Sequence, residues 1–103
     1  MIITICGSLK YQQEMIYIAQ KMTFRGNCVI TPVFPVSQNS NYTHEQIQKL
    51  KNAHLQKIDV SDAILVVNVD DYIGDSTRLE IEYAKQHHKQ VLYYTDIMQD
   101  LKK

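Results

Sequence analysis

Two short segments hold the residues best suited to chemistry. The first, Cys6-Gly7-Ser8-Leu9-Lys10, follows a β-branched run and precedes a helical one. A glycine at such a junction lets the backbone turn tightly and approach a ligand. Free N–H groups at a helix start, the Ser8 hydroxyl and the Lys10 ammonium together suit a phosphate or carboxylate. The same residues also fit a plain strand-to-helix turn with Ser8 as N-cap. One glycine is neither a dinucleotide fingerprint nor a P-loop. The second segment runs from Tyr72 to Ala84 and gathers Asp75, Glu80 and Glu82 within eight residues. With a helix expected over 77–88, Glu80 falls in the first turn, where N–H groups favour an ionised carboxylate. A positioned carboxylate of that kind is what attack on an anomeric carbon needs. Thr77 and Glu80 equally fit a capping box, in which Glu80 bonds back to the Thr77 N–H. Glu82 lies about 200° round the helix from Glu80, so the two cannot enter one pocket.

The elements that would position these segments follow from hydrophobic periodicity. Residues 2–6 read as a buried strand. Tyr11 to Phe24 reads as a helix with Met15, Ile18, Ala19 and Met22 on one stripe, stopped by Arg25-Gly26-Asn27. Residues 28–31 form a second strand closed by Pro32. Residues 32–42, with two prolines followed by Ser and Asn, form a long loop. Thr43 and Gln46 make a capping-box pattern for a helix to about Asp59, with Ile47, Leu50, His54 and Ile58 on one stripe. Residues 63–68 are the most apolar strand and are expected at the centre. A polar, acidic loop follows from Val69 to Asp75, then the helix over 77–88, a strand over 90–94 and a tail over 96–103 of one or two helical turns. Alternating strands and helices require a parallel sheet covered on both faces. Ligands of such sheets sit beyond the carboxyl ends of the strands, at a topological switch point. The glycine-containing and acidic segments collect at those ends.

The bulk properties narrow the function classes. A chain of 103 residues makes one domain, spanning 1–103, with a single modest core. Eleven acidic and eleven basic residues cancel, which disfavours a polyanion binder and hence nucleic acid. No apolar run approaches the roughly 20 residues of a membrane helix, and MIITICGSLK turns polar too soon for a signal peptide. Cys6 and Cys28 both fall in apolar strands and suit buried thiols of a reducing compartment, so a cytoplasmic location is expected. Their spacing makes no zinc motif, and the four histidines show no ligand pattern near them. The adjacent pair His87-His88 suits a helix C-terminus rather than a metal, and Lys102-Lys103 a solvated tail.

Taken in order, strand-Cys-Gly-Ser-helix, then Asp62-Ala-Ile-Leu-Val-Val-Asn68, then Gly74-Asp-Ser-Thr-Arg-Leu-Glu80-Ile-Glu-Tyr-Ala84, the chain resembles the nucleoside 2-deoxyribosyltransferase superfamily. That group includes deoxyribonucleoside 5′-monophosphate N-glycosidases, and the resemblance covers residues 2–94. It implies an α/β, flavodoxin/Rossmann-like three-layer sandwich with a four- to five-stranded parallel sheet. It further implies cleavage of the N-glycosidic bond of a nucleoside or its monophosphate. Glu80 maps to the nucleophile that attacks C1′, and Gly7 and Ser8 to the turn that holds the 5′-phosphate. No metal or organic cofactor is implied, and a homodimer or larger assembly is. Asp75 is expected as a second carboxylate. Lys10, Tyr11, His54, Asn68 and Ser76 complete the expected substrate-binding set, with residues 33–42 walling the base. Departures are visible. His54 stands where the family has an aspartate, and an imidazole cannot copy a carboxylate. The family's Gly-Thr-x-x-Glu-x-Gly is Ser76-Thr-x-x-Glu80-x-Glu82 here, with both glycines replaced. Two other readings stay open: a non-catalytic nucleotide-binding or sensing module of the same fold, and a partner-binding protein in which Glu80 only caps its helix.

Overall fold

Ala63–Val66 is buried at every position, as a strand covered on both faces must be. It forms the third strand, β3, of the sheet in a computed structural model describing residues 1–37 and 40–101. The other strands are β1 (Ile2–Cys6), β2 (Cys28–Ile30) and β4 (Gln90–Tyr93). They pair in the order β2-β1-β3-β4, all parallel. The helices are α1 (Gln12–Phe24), α2 (His44–Asp59), α3 (Asp75–Gln86) and α4 (Tyr94–Leu101). The architecture is the expected three-layer, flavodoxin/Rossmann-like α/β sandwich, with four strands.

Period-two alternation splits the strands between two cores. Ile3, Ile5, Ala63, Leu65 and Val67 face α1 and α4, packing on Met15, Ile18 and Leu101. Cys6, Ile64 and Val66 face α2 and α3, packing on Ile58, Ile81 and Ala84. The chain winds from β1 to β2 on one side and then crosses back to β3, so the winding reverses between β1 and β3. That reversal is the switch point where a parallel sheet opens a crevice.

Local signals account for most element ends. At α2 the Gln46 N–H donates to Thr43 Oγ1 at 3.1 Å and the Thr43 N–H to Gln46 Oε1 at 2.9 Å, the expected reciprocal cap. After α1, Gly26 takes φ 98°, a left-handed conformation that glycine adopts without strain. The segment after β4 contributes more than a tail: Ile97 and Leu101, four residues apart on α4, reach the first core, where Leu101 is buried. Lys102 and Lys103, read as a solvated tail, lie outside the described residues, as do positions 38 and 39 of the 32–42 loop.

Two expectations need correction. Cys28 is exposed rather than buried, because β2 is an edge strand and Cys28 pairs with the half-open Ile2 at the amino rim of the sheet. Helix α3 starts two residues early, at Asp75, with Gly74 at the N-cap position. Thr77 is therefore inside the helix and buried, not capping it.

Candidate functional site

A pocket of about 430 Å³ opens at the carboxyl edge over the β1–β3 boundary. The Gly7–Leu9 turn forms one side, and Pro32 and Val33 follow from β2. Helix α2 contributes Leu50, Lys51, His54 and Lys57, and the segment from Tyr72 to Glu80 contributes Tyr72, Gly74–Thr77 and Glu80. Of the expected site residues, Gly7, Ser8, His54, Asp75, Ser76 and Glu80 all meet there.

The early start of α3 changes the setting of Glu80. The residue sits in the second turn, beyond the reach of the free N–H groups, so the capping box with Thr77 does not form. Its side chain is 22% exposed, and Oε1 lies 3.7 Å from His54 Nε2. The same nitrogen lies 3.3 Å from Cys6 Sγ. Burial pushes the Glu80 carboxyl up from 4.5 to about 7, and the nearby Cys6 thiol pulls it partly back down. The carboxyl is thus poised between its two forms at neutral pH rather than held ionised by the helix start. Burial, and then the nearby Lys57 ammonium, lowers His54 to about 4, so its imidazole is neutral. Burial, and then the Glu80 charge, pushes the Cys6 thiol well up.

Gly7 is set by close packing. A Cβ there would stand 3.2 Å from Met15 Sδ and 3.3 Å from Val67 Cβ. Gly7→Ala is expected to cost about 1–2 kcal/mol through overpacking, read as a lower urea midpoint at unchanged m-value. Ser8 follows in extended conformation, and its Oγ accepts from the Lys10 N–H at 3.3 Å. Its backbone C=O accepts from the Tyr11 N–H at 2.9 Å.

Three expected residues serve the site differently. The Lys10 ammonium lies 3.6 Å from the centroid of the Tyr72 ring, and Tyr11 meets that ring edge to face at 6.1 Å. Neither lines the pocket; both brace Tyr72, which does. Asn68 spends its amide on Thr95, donating to Oγ1 at 3.1 Å and accepting from the backbone N–H at 3.2 Å. That clamps the end of β3 to the start of α4. Of the loop expected to wall the base, Val33 lines the pocket while Phe34 packs on the first core.

Sequence reading missed Cys6, Lys51, Lys57 and Tyr72. Lys51, His54 and Lys57 recur every three residues on α2, a spacing that puts them on neighbouring turns of one face. Cys6 was read as packing because it lies in an apolar strand; it is fully buried, yet its sulfur lies 3.3 Å from Nε2 of the pocket-lining His54. His87 behaves as expected near a helix end: Nδ1 lies 2.9 Å from the Tyr83 carbonyl oxygen and the ring stacks on Tyr83 at 4.0 Å.

Fold and site together define a parallel-sheet α/β protein with a pocket at its switch point and, beside it, a cluster of buried Cys6 and His54 with half-buried Glu80. Comparison of the chain with protein-family models, with curated proteins and with solved structures gives no match in any of the three.

Proposed function

We propose that the protein cleaves or transfers the N-glycosidic bond of a nucleoside or its 5′-monophosphate, with Glu80 as nucleophile. One observation carries this reading: the Glu80 carboxyl and the Gly7-Ser8 turn line the same pocket, from opposite sides of the sheet's switch point. The ionised carboxylate attacks C1′ and forms a glycosyl ester while the bond from C1′ to the base nitrogen breaks. The base leaves with that electron pair and takes up a proton. Water or a second base then attacks C1′ and returns the carboxylate. Asp75 and Ser76 supply polar groups for the sugar or the departing base, and Tyr72 an aromatic face.

The poised carboxyl gives this reading a pH signature. A protonated Glu80 is not a nucleophile, so kcat/KM for base release is expected to climb tenfold per pH unit below about 7 and level off above it. Chromatographic measurement of free base from pH 5 to 9 checks this; a flat profile contradicts it.

Ser8, Lys51 and Lys57 along one pocket favour an anionic 5′ group. Lys57 already donates to the Thr31 carbonyl at 2.9 Å, which leaves Lys51 the better probe. Lys51→Ala is expected to raise KM for a monophosphate about tenfold while leaving kcat, and both constants for the free nucleoside, little changed. Equal losses on both substrates would remove Lys51 from phosphate recognition.

The binding-module reading is favoured by the setting of the carboxyl: burial raises Glu80 to about 7, so its protonated form, which is no nucleophile, persists near neutral pH beside a neutral imidazole. It predicts calorimetric binding of deoxynucleosides or their monophosphates with no free base at any pH.

A further inference from the structure

Cys6 Sγ, His54 Nε2 and a Glu80 carboxylate oxygen come from three different elements and lie within 4.8 Å of one another. We propose that these three side chains bind a zinc-class divalent cation, with its remaining coordination position open to the pocket.

The geometry suits such an ion. Two edges of the triangle are 3.3 Å from sulfur to nitrogen and 3.7 Å from nitrogen to oxygen. With the third edge at its longest, a point equidistant from the three atoms lies about 2.4 Å from each. Zinc–ligand distances run from about 2.0 Å for nitrogen to about 2.3 Å for sulfur, so adjustments of a few tenths of an ångström seat the ion. Three protein ligands with an open fourth position is the arrangement of reactive rather than structural zinc. Thiolate with imidazole selects against magnesium and calcium, which take oxygen ligands. The charges balance: binding releases the thiol proton, and the carboxyl proton where Glu80 carries one, to solvent, and thiolate plus carboxylate offset the two positive charges of the ion. Access exists, since Glu80 is partly exposed and lines the pocket with His54.

This site rests on no part of the glycosyl-transfer reading, yet it shares Glu80 with it. A bound cation withholds the carboxylate from C1′, so zinc is expected to suppress base release and a chelator to restore it. The decisive readout is independent of activity. The chelator-treated protein is titrated with Zn²⁺ by calorimetry and with Co²⁺ by absorption. The expected result is one ion per chain and a near-ultraviolet thiolate-to-cobalt charge-transfer band. Cys28→Ser keeps the band, because the other cysteine lies at the far rim. Cys6→Ser loses it, and His54→Ala and Glu80→Gln each weaken Zn²⁺ binding at least about 100-fold. Because Cys6 is fully buried and its variant is the one at risk of misfolding, the Cys28→Ser protein carries the thiolate test with the core intact. No cobalt band in Cys28→Ser, or Zn²⁺ binding unchanged by both His54→Ala and Glu80→Gln, overturns the proposal. Absence of zinc binding alongside normal base release overturns the metal site alone.

Discussion

Glu80→Gln is expected to abolish base release, by about 10³-fold or more, and at the same time to stabilise the protein at pH 8. The first effect follows from replacing a nucleophilic carboxylate with an amide of the same shape that cannot form the glycosyl ester. The second follows from burial. The carboxyl sits at about 7 in the folded protein against 4.5 ordinarily, so the folded chain holds the proton over that interval and the unfolded chain does not. Its contribution is complete below pH 4.5 and is lost as pH rises through 7. Two and a half pH units correspond to roughly 3 kcal/mol, the penalty of carrying a buried charge at pH 8. Glutamine never ionises, so the variant escapes that penalty. Denaturant unfolding at pH 8 should show the gain and at pH 4 show none, and the melting temperature at pH 8 should rise by about 10 °C or more. His54 runs the other way, its stabilising neutrality being lost as pH falls from 6.5 towards 4, but it is present in both proteins. A group that costs stability where it is charged is what a site residue selected for reactivity looks like. Loss of activity without the pH-dependent gain would mean that the carboxyl is not buried as described.

Leu65→Ala is expected to cost about 3–4 kcal/mol. Leu65 is fully buried in β3, between β1 and β4, in the core that faces α1 and α4. Truncation there removes its transfer free energy and leaves a cavity that strands pinned on both sides cannot close. Against a total of about 5–15 kcal/mol this is a large fraction, visible as a much lower urea midpoint. Leu79→Ala is the control: Leu79 is 66% exposed on α3, and its loss should stay within about 0.5 kcal/mol. Equal effects at the two positions would contradict the placement of β3 at the sheet centre.

The architecture was readable because it rests on strong local signals. The β3 run is apolar at every position, the Thr43–Gln46 pair closes as a cap, and Gly26 falls where a left-handed residue ends α1. The site was readable in part, since parallel topology sends Gly7-Ser8 and the Asp75–Glu80 segment to one edge whatever the details. What misled was the first residue of α3, whose N-cap position falls to Gly74 with no side-chain cap. Asp75, Ser76 and Thr77 can all begin a helix, and sequence pattern favoured Thr77 for its spacing from Glu80. Packing decided otherwise: Thr77, Ile81 and Ala84 share the buried face of α3, which pulls Thr77 inside the helix. That two-residue shift moved Glu80 from a solvated first turn to a semi-buried second turn and reversed the sense of its proton affinity. Cys6 and His54 are 48 positions apart, and nothing local announces that β1 and α2 bring sulfur and nitrogen together.

The central claim is that the Glu80 carboxylate forms a bond to the sugar, and trapping that bond tests it most directly. A donor nucleoside or monophosphate with fluorine at C2′ destabilises the oxocarbenium-like transition state and lets a glycosyl-enzyme accumulate. At pH 8, intact-mass analysis should show one added fluorosugar, and peptide mapping should place it on Glu80, with none on the Glu80→Gln protein. An adduct on any other residue, or none from a donor whose unfluorinated parent is cleaved, would contradict the account.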